Sequence, residues 1–420
     1  MKKFAQIFIL LSAFAFIYSC GGDDDTPPQM AEIDEENPTA PANLMLILSN
    51  ETSIDLAWDA STDNVGVTSY SIFQDGVSVQ DNISGTSTTI ANLTAETSYN
   101  FYVVAFDAAG NQSAPSTSLD ASTALTFKTS LSEMGVFTTI NEDISPANGV
   151  QLYELNSTLF TDYAKKQRLI RLPEGATMTP NGNDLLPIFP DNTLIAKTFY
   201  YNIDDRDPSL GKQVIETRIF LKIAGQWQAG NYIWNAAQTE ATYTLDGSLN
   251  PISYIDLNGD AQDVQYQVPS QQDCFTCHNN NNATLPIGLK LRSMNFVPSY
   301  ANQNQLDYFV SQGILEGVTS AGVSVLPDWT NAADYTLSER GRAYIDINCA
   351  HCHQPGGSID SFGLDFRFET PFDDTGIYAN RGEIEARFGS TLPTYRMPQL
   401  GRTIIHEEAL DMLVAYIDAL

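Results

Sequence analysis

Basic residues, histidine and cysteine are all scarce in this chain. Its 420 residues carry 21 lysines and arginines against 51 acidic residues, a formal charge of -30. Such a surface repels a polyanion, which excludes nucleic acid as a partner, and it would steer in a basic one. No Lys or Arg occurs between Cys20 and Phe127, a span that holds sixteen acids. Beyond the N-terminus no run of 18 uncharged apolar residues exists, so the sequence predicts no membrane helix. The five cysteines are Cys20, Cys274, Cys277, Cys349 and Cys352, and the four histidines are His278, His351, His353 and His406. With so few, each position is informative.

What is present begins with a secretory signal. MKKFAQIFILLSAFAFIYSC has basic Lys2 and Lys3, an apolar run, and Cys20 behind Ser19. Ile17-Tyr18-Ser19-Cys20 resembles a bacterial lipobox. That resemblance implies removal of residues 1 to 19, acylation of Cys20, and a lipid anchor in the outer membrane of a Gram-negative bacterium, on its periplasmic or cell-surface side. GGDDD directly after it resembles the surface-export signal of some such lipoproteins. Residues 20 to 40 are acidic and rich in Pro and Gly, and read as a disordered tether. The expected fold is multidomain, all-β in the N-terminal part and mainly α in the C-terminal region.

From 41 to 125 short alternating runs such as SIDLAW, YSIFQDG and SYNFYVVAF are separated by turn residues, the spacing of a small β-sandwich. Pro41, Trp58, Tyr70, Leu93 and Tyr99, with AFDAAGNQS at the end, resemble a fibronectin type III domain. The resemblance implies a spacer or binding unit. Residues 128 to 270 alternate again, in RLIRLP, LIAKTFYYNI and VIETRIFLKI, and predict a second β-rich domain. Its DLNGDAQD piece fails as a calcium loop, because position 6 is Ala261 and position 12 is Gln267. A hairpin turn through Asn258-Gly259 is the better reading. Helical periodicity follows in NQNQLDYFVSQGIL, TLSERGRAYIDIN and HEEALDMLVAYIDAL.

Cys274-Phe275-Thr276-Cys277-His278 and Cys349-Ala350-His351-Cys352-His353 both match the attachment sequence of a c-type haem. Two thiols one turn apart can add to the two vinyl groups of one porphyrin, with the next histidine beside the iron. Two disulfides, or zinc held by each CxxC with a histidine, are the competing readings. Neither explains a histidine directly after both pairs. The first pair is predicted to follow a strand, YQVPSQQDC, without a helix, and 271 to 335 form a first haem segment.

TLSERGRAYIDINCAHCH resembles the first helix of a class I cytochrome c, which places such a domain at 336 to 420. Gly341 and Tyr344 would pack on a last helix whose Leu410, Leu413, Tyr416 and Ile417 share a face. Met397 in YRMPQLGR, 44 residues after His353, has the setting of that family's distal ligand. His353 and Met397 are the expected axial pair of the second haem. For the first, His278 would be joined by Met294, 16 residues on, by His406 or His351, or by no sixth ligand. Met412 reads as a core filler, His351 as the variable position of its motif, and His406 as a surface residue.

LSEMGVF, YELNSTLFTDYAKKQRLIRLPEG, IETRIFLK, YIWNAAQTEA, PIGLKLRSMN, LPDW and AYIDINCAHCH are together similar to a family of bacterial di-haem c-type cytochromes, over about residues 131 to 420. The resemblance implies two covalently bound haem c groups and electron transfer, with redox proteins bearing basic docking patches as partners. A peroxidase-like enzyme with an open first haem is the alternative, although motifs starting 75 residues apart are closer than in the known di-haem peroxidases. A third reading is a surface protein binding glycan or protein, with Trp227, Tyr232 and Trp234 lining a sugar site.

Overall fold

A computed structural model describes residues 34 to 182 and 184 to 420. The signal segment and Cys20 lie outside these. The architecture is multidomain, mostly β in its N-terminal part, and among the described residues the six α-helices lie in the C-terminal part.

The first unit is a two-sheet sandwich. Strands β1 (Ala42–Ser49), β2 (Ser53–Asp59) and β5 (Ser87–Ala91) form one sheet, and β4 (Val77–Ile83), β3 (Val67–Gln74), β6 (Ser98–Asp107) and β7 (Leu119–Ser122) the other, in those orders. Period-two alternation turns Ile54, Leu56, Trp58, Tyr70 and Ile72 inward. The Tyr70 hydroxyl accepts the Ser61 N–H at 2.9 Å and the Tyr99 hydroxyl accepts that of Thr94. The sandwich does not hang free. Buried Asn192 of the next unit accepts the Leu125 N–H at 2.8 Å and donates to the Thr123 carbonyl at 2.7 Å, while Lys128 pairs with Glu51 and Arg171 with Glu96.

The second unit is an antiparallel meander of six strands, β8 (Gln151–Leu152), β9 (Lys165–Arg171), β10 (Leu194–Asn202), β11 (Lys212–Ile223), β12 (Gln226–Trp234) and β13 (Ala241–Thr244). Both faces are covered, so apolar residues occur on both sides of β10 and β11, while β9 (KKQRLIR) is largely polar. One face packs Leu169, Leu194, Ile219 and Tyr232 against residues 131 to 150. The other carries Ile170, Ile195 and Phe220 towards the helical region, and Phe199 and Tyr201 towards the hairpin β14 (Ser248–Ile255) and β15 (Ala261–Val268). The hairpin turn holds Asn258-Gly259, with Gly259 at φ 92° and Asp256 accepting the N–H groups of Asn258 and Asp260. Trp227, Tyr232 and Trp234 are buried at 7%, 0% and 6% exposure, so they cannot line a sugar site.

Six helices follow: α1 (Gln271–His278), α2 (Leu291–Met294), α3 (Gln305–Ser311), α4 (Leu337–Cys349), α5 (Ile377–Phe388) and α6 (Glu407–Asp418). Helix α5 has no counterpart in the sequence periodicity, because IYANRGEIEARF buries only Ile377 and Phe388 and its polar faces mask the period. Helices α4 and α6 cross where Gly341 meets Tyr416, and Tyr344, Met412 and Leu413 share their core. Asp346 of α4 is buried against Lys290 at 3.0 Å and Arg292 at 3.1 Å. Burial pushes this carboxyl up, but the two cations outweigh it and hold it below its usual range.

Candidate functional site

The first CxxCH does sit on a helix, contrary to expectation. Ser270 breaks the strand and caps α1, its Oγ accepting the Asp273 N–H at 3.3 Å while Asp273 accepts the Ser270 N–H at 2.9 Å. This box replaces the missing apolar period as the reason for the helix, and it sets Cys274 and Cys277 one turn apart. His278 ends the helix. Its Nδ1 donates to the Leu285 carbonyl at 2.7 Å, which fixes the tautomer and leaves Nε2 with a lone pair. The ring lies 4.4 Å from that of Phe220. Burial, then Lys197, His351 and Arg218, push its pKa down to about 3, with the Leu285 carbonyl opposing. His278 is therefore neutral at pH 7, as a metal ligand must be.

The second motif grows from α4, opened by a Thr336/Glu339 capping box. At its end His353 donates its backbone N–H to the Cys349 carbonyl at 3.0 Å, and its ring packs 4.9 Å from Phe366. The His353 Nδ1 is buried without a partner. In front lies a cavity of about 610 Å³, lined by Cys349, Cys352 and His353, by Ile384 and Phe388 of α5, and by Met397. This is within the range of small-molecule and cofactor sites. The Met397 segment is tied down, its N–H donating to the Arg387 carbonyl at 3.0 Å and its carbonyl accepting from Arg402 at 2.9 Å.

The motifs meet. Cys277 and Thr276 line the same cavity, and ligand atoms of Cys277, His351 and Cys352 lie within 4.8 Å of one another. Nothing in the spacing along the chain indicated this. His351 is thus part of the site's wall rather than an idle position, with its Nδ1 buried and unpartnered. The neighbouring Cys277 and His351 pull the Cys352 thiol down against its burial, while Cys352 and burial raise Cys277. Met294 is fully buried among apolar residues that include Phe220, the ring that touches His278.

His406 is not a surface residue. Its side chain, 12% exposed, stacks 4.1 Å from Phe160 and accepts the Tyr344 hydroxyl at 2.9 Å. Burial pushes its pKa down to about 4, against the pull of Glu408. The folded state thus binds fewer protons than the unfolded state between pH 6.5 and 4, so stability falls as pH drops through that window. We expect a loss of ~3 kcal/mol between pH 7 and 4 from this group. Urea unfolding of His406→Phe at both pH values checks it, and an unchanged pH slope would refute it.

Similarity to known proteins is concentrated in the first sandwich. The fibronectin type III domain model matches residues 39–122. Chitinase A1 of Niallia circulans is 48% identical over 91 residues, 22% of this chain and 13% of that protein, and chitinase Chi52 of Paenibacillus xylanexedens is 45% identical over 104 residues, 25% of this chain and 18% of that protein. The chain thus spans less than a fifth of the length of these relatives. The solution structure of the fibronectin type-III domain of human fibronectin type III domain containing protein 3 is 24% identical, with a TM-score of 0.19, covering 21% of this chain and 89% of that one. An alpha-amylase of Niallia circulans and exoglucanase B of Cellulomonas fimi also match. These findings correct the expected function and its alternatives. The relatives are polysaccharide-degrading enzymes, no cytochrome c family model matches, and the expectation of an electron-transfer cytochrome is not upheld. What the chain does contain is a fibronectin type III domain at residues 39–122.

Proposed function

We propose that this chain acts in polysaccharide breakdown outside the cytoplasm, anchored by lipid on Cys20, with its reactive part in the C-terminal half. The fibronectin type III unit, shared with chitinases, is the spacer. The C-terminal half also holds two covalently attached haems. The polysaccharide reading is supported by the chitinases that share the fibronectin type III unit, and the haem reading by the cavity of about 610 Å³ on which Cys349, Cys352, His353 and Met397 converge. Cys349 and Cys352 would attach one haem, with His353 and Met397 on its iron. Cys274, Cys277 and His278 would hold the other, with Met294 as the candidate sixth ligand. When bound, haem supplies one-electron chemistry at a potential set by its axial ligands. The protein's own part is to keep His278 neutral and correctly oriented through Leu285, to anchor the Met397 segment through Arg402, and to close the site from water with Phe366 and Phe388.

A second reading has its own observation, the convergence of Cys277, His351 and Cys352 within 4.8 Å, three ligands of the kind zinc takes. One experiment separates the two. The full chain, exported together with haem-attachment machinery, is assayed for haem and for metal content and then incubated with chitin and cellulose. We expect two haems per chain, one in Cys349→Ala/Cys352→Ala, and soluble sugar released by the loaded protein. One zinc and no haem would replace the cofactor assignment. Two haems without sugar release would remove the substrate class.

A further inference from the structure

The face of the six-stranded sheet turned towards α1 carries a row of cations. Lys197 on β10 lies directly opposite Arg168 on β9 and Arg218 on β11, so three basic side chains stand side by side in the middle of one face. Lys166 follows on the same face, two residues before Arg168. Like charges directly opposite each other destabilise a sheet. Here they also sit between two apolar clusters, where an unpaired charge is costly.

The protein offsets them with one aromatic face, Phe199, over which Lys166, Lys197 and Arg218 lie at 5.7, 5.3 and 4.3 Å, and with one carboxylate. Glu216 pairs with Arg218 at 2.5 Å and also accepts the Tyr266 hydroxyl at 2.6 Å. Lys166 donates to the Ala164 carbonyl at 2.8 Å. Arg168 is 6% exposed, and its Nε and Nη2 are buried without a hydrogen-bond partner, as is Nε of Arg218. Among the described residues no carboxylate forms an ion pair with Arg168, Lys166 or Lys197. Burial and the neighbouring cations push the ammonium groups of Lys166 and Lys197 well below their usual range. The buried donors of Arg168 and Arg218 that lack a partner are set for an anionic group.

Its position names that group. Phe220, two residues along β11 from Arg218 and on the same face, touches the His278 ring. We propose that Arg168, Lys197 and Arg218 form an anion site that receives the two carboxylates of the haem attached at Cys274 and Cys277. This rests on the haem reading above. It adds that the sheet domain is part of the first haem site, and that haem attachment stabilises the sheet.

The test compares the full chain with and without attached haem. In the haem-free chain Lys197→Met relieves like-charge repulsion and raises the sheet domain's melting temperature by about 3 °C. In the loaded chain the same change lowers it. It also shifts the ionisation of the haem carboxylates to higher pH, read by infrared difference spectra with carboxylate-labelled haem, and Lys197→Arg restores both. A rise in both forms, or an unmoved carboxylate titration, overturns the proposal. If the first motif attaches no haem, the haem reading itself fails and the source would be a free acid. Calorimetric binding of glutarate or oligogalacturonate, weakened tenfold or more by Lys197→Met, would then keep the anion site, and no binding would end it.

Discussion

Replacing Arg402 with Met is expected to cost ~4 kcal/mol and to release the segment that carries Met397. Arg402 is 1% exposed and donates only to backbone. Its Nη1 reaches the Ile404 carbonyl at 3.1 Å, and its Nη2 serves the carbonyls of Arg387, Phe388, Ser390 and Met397 at 2.9 to 3.2 Å. Five acceptors, drawn from the end of α5 and from the loop that follows, converge on one guanidinium. Met fills a similar volume and supplies no donor, so these carbonyls lose the guanidinium together, and of them the Arg387 carbonyl keeps the Met397 N–H. Lys has one cationic nitrogen and cannot span the same fan, so Arg402→Lys is expected to lose ~2 kcal/mol. Urea unfolding gives the size, and hydrogen exchange over residues 387 to 402 gives the place. Unchanged protection there would mean that the loop is held by other contacts. In the haem-loaded protein Arg402→Met should also weaken Met397 ligation, seen as loss of the thioether-to-iron absorption band.

Gly341→Leu is expected to undock the last helix altogether. A Cβ built at Gly341 would lie 2.6 Å from Cγ and 2.7 Å from Cδ1 of Tyr416, so the α4–α6 crossing has no room for any side chain. Even Ala forces the helices apart. Its better helix propensity returns ~1 kcal/mol, while overpacking costs up to ~3, leaving a net loss of ~2 kcal/mol. Leu adds three more carbons at the same point and leaves no solution short of separating α6, with loss of the core around Tyr344 and Leu413. Circular dichroism and limited proteolysis at residues 400 to 420 would report this. A cooperative melt of Gly341→Ala at the native temperature would refute the close-packing argument. Tyr416→Phe is the companion control. The Tyr416 hydroxyl is buried without a partner, so its removal should leave stability unchanged or raise it.

Local chemistry that repeats in register is legible in the amino-acid sequence. The two CxxCH motifs, the alternating strands of residues 42 to 122 and the shared apolar face of Leu410, Leu413, Tyr416 and Ile417 all depend on residues a few positions apart or on a strong helical period, and the polypeptide's geometry translates such spacing directly. Helix α1 is hidden from a search for periodicity because Ser270 and Asp273 specify it through a capping box rather than through an apolar period, and a capping-box search at QQDC would find it.

By itself the sequence determined the composition-driven facts: a formal charge of -30, two paired-thiol motifs each followed by histidine, and the order of β units before helices. Only the tertiary structure decided that the two motifs share one cavity, that His406 is buried against Phe160, and that Arg168, Lys197 and Arg218 stand in one row. Those juxtapositions join residues tens to hundreds of positions apart. They follow from strand register and from which apolar face covers which, choices made by the folded core as a whole and written in no single stretch of the chain.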